Sequence, residues 1–176
     1  MRTLIGSVAL LTTLAGARTN PVSAQTKTTT IFLVRHAEKG PETPDPSLTP
    51  AGQARAHTLA AALRDAGITT IFVSEFKRTQ ETATPLAKLA GVTAEQLSAG
   101  KVDSLVARLR ALPLGSRALV VTHSNLVPMI VQKLGGGSTV ELTDSDYDRL
   151  YVVTLKADGS AEALYLHYGE IAGGRK

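Results

Sequence analysis

An arginine and a histidine follow directly on a short apolar run near the start of the chain. Arg35 and His36 come immediately after residues 31–34, whose side chains suit a buried strand. In an open α/β sheet, ligands bind just beyond the carboxyl ends of the strands. A guanidinium offers a bidentate fork to phosphate oxygens, and a neutral imidazole is a nucleophile that can hold a phosphoryl group. The sequence therefore predicts a phosphate-binding, nucleophilic site at this strand end.

Two later segments repeat the pattern of an apolar run followed by polar residues. A second strand is predicted over residues 70–74, and Arg78 follows it shortly afterwards. A third strand is predicted over residues 117–122, where the continuous apolar run suits a sheet covered on both faces, and His123 and Ser124 come next. If the three strands are parallel, their ends meet at one edge of the sheet. Two arginines and two histidines then form one pocket that can neutralise a phosphate dianion and attack it.

Helical patterns alternate with these strands. Thr49 and Pro50 provide the N-cap and the first position of a helix that ends at Gly67, and a second helix is predicted over residues 77–90 before Gly91. The remaining predicted elements are a third helix beginning near Asp103, a fourth over residues 124–134, and two closing strands over residues 147–155 and 161–167 joined by a tight turn at Asp158 and Gly159. This order predicts an α/β fold, a three-layer sandwich with a mostly parallel central sheet.

Composition limits the chemistry that the chain can perform. The chain has 176 residues, of which 43% are hydrophobic and 4% aromatic, as expected of a single domain with an aliphatic core. It has no cysteine, which excludes disulfides, thiolate zinc sites and cysteine nucleophiles. None of the four histidines form a metal-binding pair at i, i+4, and Arg35 would repel a cation beside His36. We therefore expect neither a metal nor another cofactor.

The first two dozen residues have the layout of a secretory signal peptide. After a positively charged start, residues 4–17 are apolar or small and uncharged, and Val22 and Ala24 occupy the −3 and −1 positions of a cleavage site. The apolar stretch is shorter than the roughly 20 residues of a spanning helix, so we expect no stable membrane anchor, although a retained anchor is the alternative interpretation. We expect residues 1–24 to be removed on export to a bacterial periplasm, leaving residues 25–176 as one domain.

The charge of the mature chain is nearly balanced. Cleavage removes Arg2 and Arg18, two of the 19 basic residues, and the 17 that remain face 15 acidic ones, for a net charge of +2. No cluster of lysine and arginine accompanies this small excess. The pattern indicates a mixed solvated surface and does not favour nucleic acid as a partner.

Four segments of the chain, in order, resemble the motifs of the histidine phosphatase superfamily, in the branch that includes the phosphoglycerate mutases. The segments are VRHAE at residues 34–38, LTPAG at 48–52, VSEFKRTQETA at 73–83 and VTHSN at 121–125. The resemblance implies that His36 attacks phosphorus and forms a phosphohistidine, that Arg35 and Arg78 bind the phosphate oxygens, and that His123 hydrogen-bonds the same group. Ser124 is a further candidate for a phosphate contact, although capping of the following helix explains it equally well.

The chain departs from the family pattern where many members carry a catalytic acid. Those members place the acid in a long insertion after the second helix, whereas this chain passes directly into its third helix and so resembles the compact bacterial phosphohistidine phosphatases. Glu38 is the first candidate for the proton donor because it follows the nucleophile on the same loop. Glu75 is the second, and Asp45 and Glu42 in the proline-rich loop are further candidates. Without an acid, substrates with good leaving groups are favoured.

The sequence thus predicts a secreted, metal-independent phosphohydrolase that acts through phosphorylated His36. An uncapped, open pocket suits phosphorylated small molecules or phosphoproteins as partners. The alternatives are a phosphotransferase similar to the phosphoglycerate mutases and a phosphate-binding module without catalysis. The sequence predicts neither the physiological substrate nor the oligomeric state.

Overall fold

A single mixed sheet with helices on both faces forms the framework of the computed structural model, which describes residues 27–170. The elements in chain order are β1 (Thr29–Arg35), α1 (Pro50–Leu63), β2 (Thr70–Val73), α2 (Lys77–Ala90), β3 (Ala94–Gln96), α3 (Val102–Arg110), β4 (Arg117–Thr122), α4 (Leu126–Lys133), β5 (Arg149–Leu155) and β6 (Ala161–His167). The predicted signal peptide, residues 1–24, lies outside the described residues. Within residues 27–170, no helix has both the length and the apolar character needed to cross a membrane.

The strand order brings the three polar strand ends to one edge. The sheet runs β3-β2-β4-β1-β5-β6, and the first four strands in this order are parallel to one another. In register, Arg35 lies opposite Thr122, and Val73 lies opposite Val121. The carboxyl ends of β1, β2 and β4 therefore lie side by side. The antiparallel pairs β1–β5 and β5–β6 make the sheet mixed, as the predicted C-terminal hairpin requires.

Alternate residues of the central strands are buried on opposite faces, as a sheet covered on both sides requires. Ile31 of β1 lies in one apolar cluster with residues of α3 and α4, and Val34 lies in a second cluster with residues of α1 and α2. The predicted α/β three-layer sandwich is therefore confirmed.

The start of α1 fixes the loop that follows β1. The Thr49 hydroxyl accepts a hydrogen bond from the Gly52 N–H at 3.1 Å, and Pro50 occupies the first turn, so the predicted cap is present. The Thr49 N–H in turn donates to the Glu38 carbonyl at 2.9 Å. A Cβ at position 52 would lie only 2.2 Å from that carbonyl oxygen, so only glycine allows this close approach.

The structure differs from the predicted elements in four main places. Helix α1 ends at Leu63, four residues before the predicted stop at Gly67. Strand β3, which pairs with β2 at the sheet edge, was not predicted, because its three residues contain a glutamate and a glutamine and form no apolar run. Helix α4 begins at Leu126, two residues later than predicted. Strand β5 begins at Arg149, because the preceding residues form a turn around Asp146.

Candidate active site

The two predicted site histidines lie in contact distance at the ends of neighbouring strands. The His36 N–H donates to the Thr122 carbonyl at 2.9 Å, which continues the pairing of β1 and β4 by one residue. The rings of His36 and His123 meet edge to face, with their centroids 5.5 Å apart. The parallel register of the two strands is therefore what brings these imidazoles together.

The His36 ring has a defined tautomer. Its Nδ1 lies 2.8 Å from the Ala37 carbonyl oxygen, and because a carbonyl can only accept, we assign the proton to Nδ1. The lone pair is then on Nε2. The side chain is only 3% exposed, and this burial, opposed by the Ala37 hydrogen bond and helped by the charge of Arg35, lowers the pKa of His36 to about 3. At neutral pH the imidazole is uncharged and nucleophilic.

A buried threonine on α2 holds the loop that carries the nucleophile. The Ala37 N–H donates to the Thr82 hydroxyl at 2.9 Å, and that hydroxyl donates to the Arg78 carbonyl at 2.7 Å. Thr82 is fully buried, so these bonds are shielded from water. The position of His36 is thereby tied to the first turn of α2, which also bears Arg78.

The Arg35 guanidinium is held from the opposite half of the chain. Its Nη1 donates to the carbonyls of Thr143 and Asp144 at 2.9 and 3.0 Å. Its Nη2 lies 3.4 Å from the Tyr147 hydroxyl, and the guanidinium carbon lies 4.2 Å from the centre of the Tyr147 ring. The buried Nε has no hydrogen-bond partner among residues 27–170. Arg35 is therefore fixed in position while one N–H remains free for an anion.

Asp146 shapes the turn that holds Arg35. This aspartate is 1% exposed, and its Oδ2 accepts hydrogen bonds from the Thr143 N–H and the Thr143 hydroxyl, both at 2.7 Å. The turn exposes the carbonyls of residues 143 and 144 to the guanidinium. This turn was not among the predicted parts of the site. A hydroxyl residue followed three positions later by an aspartate, as in TDSD at 143–146, is the local signal for such a turn.

Arg78 is oriented by the proline-rich loop. Its Nη1 lies 3.6 Å from the Asp45 carboxylate, and its guanidinium carbon lies 4.3 Å from the centre of the Phe76 ring. The same carboxylate accepts the Lys77 N–H at 3.1 Å and so caps the start of α2. As in Arg35, the buried Nε has no hydrogen-bond partner within the described part of the chain. Asp45 is thus engaged in holding Arg78 and α2.

His123 contacts the end of β2 through its side chain. Its Nε2 lies 3.1 Å from the Ser74 hydroxyl, and its ring meets the Phe76 ring edge to face at 5.2 Å. Burial, followed by the positive charge of Arg78, lowers the pKa of His123 to about 4, while the charge of Glu75 opposes the shift. Both site histidines are therefore neutral at neutral pH.

The two first candidates for the proton donor are engaged in other contacts. The Glu38 carboxylate accepts from Arg55 Nε at 2.8 and 3.0 Å. The Glu75 carboxylate accepts the Ala99 N–H at 2.7 Å and the Ser98 hydroxyl at 3.3 Å. Partial burial is the largest single effect and raises the pKa of Glu75, but the hydrogen bonds to the carboxylate together outweigh burial and hold the pKa below its usual value. The negative charge of Glu75 partly opposes the lowering of the His123 pKa. The assignment of Glu38 as the acid stays a prediction.

Ser124 and Asn125, which directly follow His123, line a cavity. Helix α4 is preceded by Asn125, whose side chain makes no capping hydrogen bond, and the first helical N–H groups bond instead to the His123 carbonyl. The cavity has a volume of about 310 Å³ and is lined by Ser124, Asn125, Pro128, Glu141 and Leu142.

The other two histidines lie in different surroundings. His57 is an exposed residue of α1, and His167 pairs through Nδ1 with Asp148 at 2.9 Å. Among residues 27–170, no group of three or more histidine, aspartate or glutamate side chains is placed to hold a metal ion.

Comparison with known proteins agrees with the motifs. The family model of the histidine phosphatase superfamily, branch 1, matches residues 31–99, which include three of the four motifs. A comparison with curated protein sequences gives no match.

Solved structures share the fold over most of the chain. The protein histidine phosphatase SixA, solved in complex with tungstate, is 24% identical with a TM-score of 0.68, covering 78% of this chain and 96% of its own. A phosphoglycerate mutase from Plasmodium falciparum is 20% identical with a TM-score of 0.60, covering 85% and 95%. A mycobacterial glucosyl-3-phosphoglycerate phosphatase is 13% identical with a TM-score of 0.64, covering 81% and 99%. The predicted resemblance of this chain to the histidine phosphatase superfamily, in a compact form with the phosphoglycerate mutase-like fold, is therefore confirmed.

Proposed function

We propose that this chain is a metal-independent phosphohydrolase that releases phosphate from phosphomonoesters or phosphoproteins through a phosphohistidine at His36. One observation carries the proposal. His36 is buried and neutral, its Nδ1 proton is fixed by the Ala37 carbonyl, and its Nε2 lone pair lies in the same pocket as two arginines whose buried Nε groups are free to donate. Such an arrangement suits attack on a phosphoryl group held by the arginines.

In the first step, His36 Nε2 attacks phosphorus in line with the ester oxygen. The new N–P bond forms as the P–O bond of the ester breaks, and the leaving oxygen keeps the electron pair and takes up a proton. Arg35, Arg78 and His123 stabilise the charge on the equatorial oxygens. The imidazole becomes positively charged as it bonds to phosphorus, and the hydrogen bond from Nδ1 to Ala37 becomes stronger as that charge develops.

In the second step, water attacks the phosphohistidine. The N–P bond breaks, its electron pair returns to Nε2, and the proton lost by the water is carried away by the phosphate or the solvent. This step regenerates neutral His36, which is the form that low pKa favours. The low basicity of the imidazole also makes it a good leaving group.

Protonation of the leaving group is the least prepared part of the reaction. Glu38 is paired with Arg55, and Glu75 is bonded to the 98–99 turn, so either carboxylate must release a contact and take up a proton from the solvent before it can pass that proton to the leaving oxygen. Both remain candidates in this proposal. We therefore expect substrates with good leaving groups, such as phosphoramidates and aryl esters, to react fastest.

The structural comparisons support a phosphorylated substrate. The cellular location of the protein is proposed from the sequence alone. SixA is described as a protein histidine phosphatase, and its structure holds tungstate, a tetrahedral oxyanion like phosphate. This supports a phosphorylated protein or small molecule as the partner. We propose that residues 1–24 direct export to a bacterial periplasm, where the mature domain acts.

The test is hydrolysis of p-nitrophenyl phosphate in the presence of a chelator, comparing the wild-type chain with His36→Ala. His57→Ala is the matched control, because His57 is an exposed histidine of α1. We expect turnover by the wild type and the control, no turnover by His36→Ala, and a covalent phosphoryl group on the wild type in a base quench. Phosphate binding without turnover would instead indicate a binding module, and hydrolysis by His36→Ala at the wild-type rate would overturn the mechanism.

A further inference from the structure

The cavity lined by Ser124, Asn125, Pro128, Glu141 and Leu142, here named the Glu141 cavity, adjoins the phosphate pocket. Ser124 follows the site histidine His123 directly. On the opposite wall, Leu142 precedes Thr143, whose carbonyl accepts from Arg35 at 2.9 Å. Both walls therefore continue from groups of the phosphate pocket. Because both walls continue from the phosphate pocket, the cavity lies on a side to which the leaving group of a bound phosphate can extend.

The wall that carries Glu141 is fixed at both ends. On one side, the hydroxyl of buried Tyr151 donates to the Val140 carbonyl at 3.0 Å. On the other side, Asp146 holds Thr143 through two hydrogen bonds of 2.7 Å. The position of Glu141 between these anchors is set by the fold. The backbone of this wall is therefore held in place before a ligand binds, which lowers the entropic cost of ordering it.

The lining selects a particular chemistry. Glu141 is the only charged residue among those that line the cavity, and its carboxylate favours a cation. Pro128 and Leu142 provide apolar contact for methylene groups, and Ser124 and Asn125 provide hydrogen bonds. The volume of about 310 Å³ lies at the lower end of the roughly 300–1,000 Å³ range of small-molecule sites. The cavity thus suits a short alkyl chain that ends in an ammonium group.

We infer that the Glu141 cavity is the leaving-group subsite and that it selects alkyl phosphates with an ammonium group near the ester oxygen. This inference rests on the proposed function. The phosphate lies at Arg35 and Arg78, and the ammonium lies at Glu141, so the site is complementary to a zwitterion. Because Glu141 is exposed, its contribution has the size of a surface ion pair, which corresponds to about a two- to fivefold preference.

The experiment compares two ligands of the same shape, 2-aminoethyl phosphate and 2-hydroxyethyl phosphate, as competitive inhibitors of p-nitrophenyl phosphate hydrolysis. The measured quantity is the ratio of their inhibition constants, which is obtained whether or not either ester is hydrolysed. The variants are Glu141→Gln and Glu141→Lys. Glu162→Gln is the matched control. Glu162 lies on β6 level with the amino end of β1, whereas the site lies at the carboxyl end of β1.

In the wild type and in Glu162→Gln, we expect the amino compound to bind about two- to fivefold more tightly than the hydroxy compound. Glu141→Gln should bring the ratio close to one, and Glu141→Lys should reverse it. An equal ratio in all four proteins overturns the subsite while hydrolysis of the aryl ester still supports the proposed function. If the aryl ester is not hydrolysed, the proposed function fails, and calorimetric binding of the two ligands gives the ratio that tests the subsite.

Discussion

The centre of the candidate site and its acidic rim are built in different ways. At the centre, His36 and His123 are neutral and largely buried, and Arg35 and Arg78 each keep one buried N–H without a partner in the described chain. At the rim, the carboxylates of Glu38, Asp45 and Glu75 all bind other parts of the protein.

The difference indicates which chemical step the fold has prepared. Attack on phosphorus needs a neutral nucleophile and positive groups at fixed positions, and the centre supplies both without rearrangement. Protonation of a leaving group needs a carboxylic acid near the ester oxygen, and the rim carboxylates must first exchange their present partners. The centre is therefore preorganised for phosphoryl transfer, whereas the rim carboxylates are engaged in contacts that stabilise the fold.

The largest expected effect is on the choice of leaving group. We expect kcat/KM for p-nitrophenyl phosphate to exceed that for an alkyl phosphate by about 10²–10⁴-fold, which is the usual contribution of a positioned general acid. Steady-state rates across a series of aryl and alkyl phosphates give the dependence on leaving-group pKa. Equal rates across the series would show that an acid is already in place and would remove the contrast between centre and rim.

The second prediction concerns the preorganised charge of the centre. Arg78→Ala removes a donor to the phosphate oxygens and should lower kcat/KM about 10²–10³-fold, as loss of one oxyanion donor does in other enzymes. Arg78→Lys retains the charge but cannot bind two phosphate oxygens in the bidentate manner of a guanidinium. Its kcat/KM should therefore lie between those of the wild type and Arg78→Ala. Kinetics of p-nitrophenyl phosphate hydrolysis measure both. A loss under threefold in Arg78→Ala would mean that Arg78 does not contact the phosphate.

The third prediction concerns the cost of keeping the two histidines neutral. Burial lowers the pKa of His36 to about 3 and that of His123 to about 4, from the ordinary value of 6.5. At pH values between the lowered pKa values and 6.5, the unfolded chain binds more protons than the folded chain. The free energy of unfolding therefore falls as the pH falls below about 6.5. The expected slope is about 1.4 kcal/mol per pH unit for each histidine.

Urea unfolding between pH 7 and pH 4 measures this slope. The double variant His36→Ala/His123→Ala should show a shallower dependence of the free energy of unfolding on pH than the wild type. Exposed His57 provides the control, since His57→Ala should keep the wild-type slope. Parallel curves for the wild type and the double variant would show that the two histidines are protonated in the folded state.

A fourth prediction tests the turn that holds Arg35 from outside the pocket. In Asp146→Asn, the Thr143 N–H and hydroxyl lose a charged acceptor, at an expected cost of about 1.5–3 kcal/mol in stability. Because Arg35 binds the carbonyls of this turn, KM for p-nitrophenyl phosphate should rise several-fold while kcat changes less. A loss of stability with unchanged KM would show that the turn does not position Arg35.

The smallest expected effect separates the two rim carboxylates. We expect Glu38→Gln to change kcat/KM for alkyl phosphates by less than about threefold, since its carboxylate is paired with Arg55, and Glu75→Gln to have the larger effect. Rates on aryl phosphates are the internal control, because they need little protonation. A selective loss of alkyl phosphate hydrolysis in Glu38→Gln, by 10-fold or more, would establish Glu38 as the acid.

Local sequence patterns are sufficient for most of the framework. The apolar runs before Arg35 and His123 predict the strands that carry them, and the cap at Thr49 and the glycine at Gly91 bound the first two helices where the structure places them. Each of these features depends on residues within a few positions of one another. Strand β3 has no such local signal, and its pairing with β2 alone makes it a strand.

The sequence by itself determined that an arginine and a histidine end one strand and that a histidine follows another, because alternation of apolar runs with helices specifies a parallel sheet and its polar edge. The tertiary structure alone decided how those groups are held. Arg35 binds carbonyls 108 and 109 positions away, Ala37 binds a threonine 45 positions away, and Glu38 pairs with Arg55. These contacts follow from packing between distant segments, for which neither spacing nor local propensity gives a signal. They fix the positions of Arg35 and of the loop that carries His36, and they engage the Glu38 carboxylate.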